Sequence, residues 1–416
     1  MQPQMKNGAV KDRLNEEKGL SGKIALPVLI AISFSHLLND AMQSLIPAIY
    51  PNIKGAFNLD FVHIGIITLT FQLTASIFQP VIGHFTDRKP KPYSLAGGMG
   101  FTLAGLVLLS LSHSYEMILF AVGLIGVGSS VFHPEAARVA YLVSTEKRGT
   151  AQSIFQLGGR AGASIGPLLA ALIITGTNIS NIIWFSFLAL AAMLVLTKVG
   201  AWYKKISSNI KQWDSLRKVE VHPNISKQKI IFSIFILLVL IFSKYFYIAS
   251  ISSYLTFYLI SKFNISIQSS QIYLFVFSLA IVIGTMIGGP LSDRFGRKYI
   301  IWISILGSAP FTLLLPHADL FWTTILLICV GVILASAFPA ILVYAQELLP
   351  AKVGMISGLF YGFAFGMGGI GSAALGELAD KTNIFFVYQV CAFLPLLGLL
   401  TGLLPNLKKE KQKKVQ

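Results

Sequence analysis

The sequence predicts an all-α membrane protein with twelve transmembrane helices in two six-helix, pseudo-symmetric halves. Three observations predict it. Hydrophobic residues make up 54% of the 416 residues and charged residues only 12%, with a mean hydropathy of +0.70. A water-soluble domain carries about 25% charged residues, so this chain has too little polar surface to cover itself in water. The apolar residues are gathered into long runs, and a spanning helix needs about 20 of them. A charged turn also occurs twice. Gly83-His-Phe-Thr-Asp87-Arg88-Lys89 returns as Gly289-Pro-Leu-Ser-Asp293-Arg294, followed by Phe295-Gly296-Arg297-Lys298. The offset, 289 minus 83, is 206 residues. Parallel halves of this kind are an architecture of secondary transporters, with the substrate site between them.

The spans follow in order. Span one is expected at 24–50; it carries His36 and Asp40 and lacks a small-residue cleavage site, so it is not a secretory signal. Spans two and three, at 61–83 and 93–112, flank the first charged turn. Spans four, five and six are expected at 115–138, 149–172 and 179–203. The polar, basic stretch 204–228, broken by His222-Pro223-Asn224, separates the halves. Spans seven and eight, at 229–258 and 268–289, lead to the second charged turn. Spans nine to twelve follow at 299–316, 320–346, 353–378 and 383–404. The domains are therefore a tail at 1–23, halves at 24–203 and 229–404, the linker, and a basic tail at 405–416. The runs are too long and continuous for outer-membrane strands, which alternate over about ten residues. Weaker repeats support the halves: Phe132-His-Pro134 matches Phe338-Pro339, and Arg148-Gly149 matches Val353-Gly354, at nearly the same offset.

The net charge of +16 suggests a nucleic-acid binder until its distribution is read. Basic residues crowd the segments that share a side with both termini, including Arg88, Lys89, Lys91, Arg138, Lys147, Arg148, Arg294, Arg297, Lys298, Lys352 and the tail from Lys408. The opposite loops hold only Lys54, Lys262 and Lys381. That bias places both termini in the cytoplasm, and the basic tail against anionic lipid. The partner implied by the charge is a bilayer, not nucleic acid. Cys329 and Cys391 lie in apolar spans, as small core residues, and no Cys/His spacing resembles a zinc site.

Charges inside the bilayer carry the functional reading. Each costs about 2.5–3.5 kcal/mol on insertion scales and as a rule faces the bundle interior. His36 and Asp40, four apart, share a helical face with Asn39 and Gln43. An imidazole and a carboxylate together can hold or release a proton, or serve as a polar clamp against a neighbouring helix. Arg160 continues a stripe from Gln152 and Gln156; a guanidinium grips phosphonate or carboxylate by two parallel bonds, or neutralises Asp40 or Glu135. Lys244, with Tyr247, Tyr254 and Tyr258, is the corresponding cation of the second half. It can recognise an anion or pair with a carboxylate, and the tyrosines can be packing residues. Glu135 and Arg138, three apart, lie nearer the cytoplasm, Glu135 as a proton-coupling or gating group. His133 precedes Pro134, which removes a backbone donor and can expose carbonyls to a cavity.

The doubled Gly-x-x-x-Asp-Arg turn, the twelve spans and the basic central linker resemble the major facilitator superfamily. Three segments resemble, more narrowly, the fosmidomycin-resistance family of drug exporters: Ser35-His36-Leu-Leu-Asn39-Asp40, Val131-Phe-His133-Pro134-Glu135-Ala-Ala-Arg138 and Gln156-Leu-Gly-Gly-Arg160. The resemblance implies proton-driven export of a small anionic or amphiphilic compound across a bacterial inner membrane by a monomer. It implies no cofactor beyond the proton gradient. It gives Asp87, Arg88, Asp293, Arg294 and Arg138 to a conformational latch. The first turn departs from the pattern, since Lys89-Pro90-Lys91-Pro92 replaces the glycine and basic ending of the second. Gly162-Ala-Ser-Ile-Gly166-Pro167 resembles the end of a motif of superfamily antiporters; physically, small residues permit close helix contact and proline a bend.

Proton-driven uptake of a phosphorylated or carboxylated nutrient would use the same cations and acids, and the residues alone do not set direction. A polytopic membrane enzyme or sensor is disfavoured, because no nucleophile elbow, metal spacing or phosphate-cradling loop is present.

Overall fold

The computed structural model describes residues 25–59, 61–144, 147–174, 179–217 and 225–407, and it has no strand among them. The tail expected at 1–23, the linker residues 218–224 and the tail from 408 lie outside the described residues. Each of the twelve expected spans coincides with one helix or with successive helical pieces. Spans one to six are Leu26–Ala48, Phe61–Arg88, Ser94–Ser110, Tyr115–Leu142, Arg148–Ile173, and Ile179–Trp184 running into Phe185–Arg217. Spans seven and eight are Lys227–Phe263 and Ile267–Phe295. Span nine begins with Arg297–Ile305, and span ten is Leu320–Ala335 followed by Ala337–Leu348. Span eleven is Val353–Lys381, and span twelve is Ile384–Ala392 followed by Leu394–Leu403. A short helix, Tyr50–Phe57, follows span one.

By length and composition alone, nine of these among the described residues can cross a membrane. The other three are spans one, three and five. Span three has 17 residues, while spans one and five carry the intramembrane polar groups: Ser35, His36, Asn39 and Asp40 on one, Gln152, Gln156 and Arg160 on the other. These two helices pack against each other, and their polar groups find partners on several spans: His36 on Phe155 O of span five, Asp40 beside His133 of span four, and Gln152 on Ala137 O of span four.

Local chemistry sets the helix ends. Ser114, Ser226, Ser266, Asp319 and Asn383 each accept a backbone N–H of the first turn that follows, which satisfies donors that no helical carbonyl reaches. Asn58 and Asn264 end their helices in the left-handed conformation, which asparagine tolerates better than most residues. Span six runs on to Arg217, well past the expected end at 203; Lys, Gln and Ser continue a helix at little cost once it has begun. The linker named at 204–228 is therefore helical over its first half. The two charged turns also differ in build. Gly296, at φ 105°, lets span nine start at the next residue. The first turn uses Lys89–Tyr93 before span three starts at Ser94.

Spans one and five pack along a glycine stripe. A Cβ on Gly158, Gly162 or Gly166 would strike the carbonyl of Ser33, Leu37 or Ala41 respectively. Both series step by four, so one ridge fits one groove. Gly162 and Gly166 are thus contact residues. Pro167, inside the same helix and exposed, leaves the Ala163 carbonyl without its helical donor. Outward-facing Leu168, Leu172, Phe187, Phe235 and Phe275 are each more than half exposed, as suits a surface solvated by lipid. Cys329 and Cys391 are free thiols, the second buried.

The stripe predicts opposite outcomes for one substitution. Gly162→Ala should destabilise the purified protein by about 1–3 kcal/mol through overpacking. Gly366→Ala, where a Cβ meets nothing within 4 Å, should be neutral or stabilising by about 0.5–1 kcal/mol. Thermal unfolding in detergent measures both.

Candidate functional site

The halves enclose a cavity of about 370 Å³, within the range of small-molecule sites. Several helices present one stripe of the helical period to it: His36 and Asp40 of span one, Gln156, Gly159, Arg160 and Ala163 of span five, Tyr245, Ile248, Ala249 and Ser252 of span seven, and Tyr361, Ala364, Phe365 and Gly368 of span eleven. Gln72 and Phe338 complete the polar and aromatic wall. Arg160 reaches from the first half to the second, where its side chain hydrogen-bonds the Tyr245 phenol.

Asp40 sits between two imidazoles. Nε2 of His36 lies 3.3 Å from one carboxylate oxygen, and Nε2 of His133 lies 3.5 Å from the other. Asn39 donates to Asp40 at 3.0 Å. The far nitrogen of each ring is held by a backbone carbonyl: Nδ1 of His36 donates to Phe155 O at 2.8 Å, and Nδ1 of His133 to Ser129 O at 3.1 Å. A carbonyl only accepts, so Nδ1 of His36 carries a proton; Nδ1 of His133 also lies 3.3 Å from the Ser129 hydroxyl, and both rings turn Nε2 toward Asp40. The rings are also shielded: His36 stacks on Phe155 at 4.2 Å, and His133 meets Tyr361 and Phe365 at 5.3 and 5.1 Å. Gly159 makes the fit possible, since a Cβ there would press into His36 and Asp40.

Three expected site residues lie elsewhere. Lys244 is 1% exposed; its ammonium donates to Ala335 O at 3.3 Å, where span ten breaks, with the Tyr245 and Phe338 rings 5.6 and 5.4 Å away. It stands behind the wall, because the cavity stripe of span seven runs through Tyr245 and the preceding residue is turned about 100° away. Tyr247 fails for the same reason. It is buried inside the second half, in the electrostatic neighbourhood of Tyr258 and Cys391. Glu135 is 1% exposed and bonds Ser94 Oγ at 2.9 Å, with Arg138 at 3.8 Å; it belongs to the seam described next and does not line the cavity.

That seam closes the cavity at the end that carries the charged turns. Asp87 accepts the N–H groups of Gly354 and Met355 at 2.9 and 2.8 Å, at the start of span eleven. Asp293 accepts those of Gly149 and Thr150 at 2.9 and 2.7 Å, plus the Thr150 hydroxyl at 2.7 Å, at the start of span five. Each carboxylate meets the unsatisfied donors and positive end of a helix in the opposite half. The motif glycines permit the approach, since Gly83 lies against Gly354 and Gly289 against Gly149, backbone on backbone. Behind the carboxylates stand Arg138, 3.7 Å from Asp87, and Arg297, 2.6 Å from Asp293. Glu347 joins Arg297 at 3.3 Å and reaches across to Arg148 at 3.8 Å.

Arg88 and Arg294 are set apart from the carboxylates by their exposure. Both are exposed, and Arg294 lies beside the Phe295 ring; the residue after a seam-facing aspartate points away from it. Arg148, Arg297 and Glu347 were not foreseen, although Arg297, four residues after Asp293, had the spacing of an ion pair. Toward the other end the halves part. A Cβ on Gly354, Gly358 or Gly362 would hit span two, or Asp87 at its end, whereas one on Gly366, Gly368 or Gly369 would meet nothing within 4 Å.

The seam predicts a graded opening. In a chain lacking Cys329 and Cys391, Ser153→Cys places a thiol in the buried contact of spans five and eight, where Ser153 accepts from Gly289 N. Adding Asp293→Asn should raise its labelling by a polar thiol reagent, and Asp87→Asn with Asp293→Asn should raise it further. Each lost charged hydrogen bond costs about 1.5–3 kcal/mol.

The Major Facilitator Superfamily model matches residues 32–373 and 237–415. The chain is 57% identical over 379 residues to the fosmidomycin resistance protein of Escherichia coli (strain K12), covering 91% of this chain and 93% of that protein. It is 39% identical over 391 residues to the uncharacterized MFS-type transporter YfnC of Bacillus subtilis (strain 168), with 94% and 96% covered. FucP, solved as a major facilitator transporter in the outward conformation, shares the fold with a TM-score of 0.71 at 15% identity, over 91% of this chain and 98% of that one. The chain belongs to the major facilitator superfamily of transporters, in the family of the fosmidomycin resistance protein.

Proposed function

We propose that this transporter is a proton-coupled antiporter that exports a small anionic or amphiphilic drug of the fosmidomycin type by alternating access, as a monomer in the bacterial inner membrane. The observation that carries this reading is the shared wall of the cavity, where Asp40 and His36 stand beside Arg160. Arg160 and Tyr245 offer an anion a guanidinium and a phenol from opposite halves, with Gln156, Gln72 and Ser252 available for further hydrogen bonds. The Asp40 cluster is a proton acceptor by construction. A proton added between Nε2 of either imidazole and the nearby Asp40 oxygen would be held there by a short charge-assisted bond, beside the one that Asn39 already donates. No cofactor is required, since the gradient supplies the energy.

The bias of basic residues assigns the seam to the cytoplasmic side, with both termini there. The arrangement is then open outward, with Asp87 and Asp293 holding the cytoplasmic end shut. Opening inward requires both carboxylates to leave their helix N-termini, with Arg138, Arg148, Arg297 and Glu347 changing partners. Glu135, bonded to Ser94 and next to Arg138, is placed to link its own protonation to that opening. Export is inferred from the word resistance in the name of the relative that is 57% identical, since removal of a drug from the cell is how a transporter would confer it.

In inverted vesicles with an acid interior, labelled fosmidomycin should accumulate, and a protonophore should abolish accumulation. Arg160→Gln should lower uptake of the anionic drug tenfold or more, about 1.4 kcal/mol, while affecting a neutral substrate less. Equal losses would remove Arg160 from direct recognition. Accumulation only in right-side-out vesicles under an inward proton gradient would favour a nutrient importer instead.

A further inference from the structure

His36, Asp40 and His133 come from two helices, and only the first two are paired by local spacing. In space, their ligand atoms all lie within 4.8 Å of one another. A tetrahedral zinc ion with bonds of about 2.1 Å sets its ligand atoms about 3.4 Å apart. The two imidazole nitrogens stand 3.3 and 3.5 Å from opposite oxygens of the Asp40 carboxylate, which would bind through both oxygens or turn to present one. Both rings point Nε2 inward, with Nδ1 of His36 against Phe155 O and Nδ1 of His133 against the carbonyl and hydroxyl of Ser129, and Asn39 Nδ2 steadies Asp40. Outer contacts of this type orient metal ligands and fix the ligating tautomer. A polar clamp alone leaves the arrangement incomplete, because Nε2 of His133, in a residue 0% exposed, has no hydrogen-bond partner. Asp40 keeps 17% of its side chain exposed, toward the cavity.

We propose that His36, His133 and Asp40 form a three-ligand site for a divalent ion of the zinc class, with its fourth position facing the cavity. Two imidazoles and one carboxylate suit zinc, cobalt or copper over magnesium or calcium, which prefer all-oxygen sites. The ion would hold span one against span four and occupy the atoms that otherwise take the proton. A cavity anion can supply the fourth ligand. The inference stands apart from the transport reading, since binding of the metal alone tests it.

The probe is Co²⁺, added to the purified full chain after removal of any polyhistidine tag. His63, His84, His113, His222 and His317 are first changed to Asn, leaving His36 and His133. Visible bands of four- or five-coordinate Co²⁺ should appear at one ion per chain and vanish on adding Zn²⁺. His133→Gln should abolish the bands. His133→Cys should restore binding with a new near-ultraviolet thiolate-to-cobalt band, which a structural defect at this position would not produce. No bands in the two-histidine protein, bands that survive His133→Gln, or a Cys variant without the thiolate band would each overturn the site.

Discussion

A carboxylate in a lipid-solvated bundle must be matched by polar partners close at hand, and Asp40 is the residue whose needs organise the centre of this protein. It draws His36 from its own helix and His133 from span four. The two rings are then oriented by carbonyls of spans five and four. Span five can come close enough to supply its carbonyl only because Gly158, Gly159 and Gly162 remove side chains from the contact. The glycine stripe, the buried imidazoles and the cavity wall are therefore one constraint seen at three scales. The price is a pair of helices too polar to pass as membrane spans by composition.

The same logic recurs at the seam with other partners. Asp87 and Asp293 find their donors in helix N-termini of the opposite half, so each lies at a contact that must break if the halves rock. A dock made of backbone donors, with arginines set behind, holds the halves together without fusing them into one core. The repeat makes the dock double: Asp87 and Asp293 are 206 residues apart, and Gly149 and Gly354 are 205 apart. A rocking motion that opens one contact therefore strains its counterpart. This arrangement suits a molecule with two alternatives better than one with a graded range of shapes.

Much of this was legible in the sequence. All twelve spans were readable, because lipid leaves apolar runs uninterrupted over the length of a helix. Even the weak match of Arg148-Gly149 with Val353-Gly354 marked the two helix starts that receive the carboxylates. His36 with Asp40 could be paired from a spacing of four. His133 could not be added to that pair, since nothing local says that span four passes beside span one. Lys244 and Tyr247 misled because depth in the membrane says that a polar residue matters and not which way it faces. The stripe Tyr245, Ile248, Ala249 and Ser252 held that information, but Tyr245 is an aromatic among many. Arg88 and Arg294 misled as members of a motif whose acid docks in the seam while the next residue is exposed.

The account turns on one claim, that the cavity holds either protons at the Asp40 cluster or an anionic substrate at Arg160. Calorimetry of fosmidomycin binding to the purified protein, in buffers of different ionisation enthalpy, reads the protons exchanged as the slope of apparent heat against buffer enthalpy. Exchange predicts net proton release on binding, lost in Asp40→Asn. Net proton uptake, or heats independent of the buffer, would contradict it.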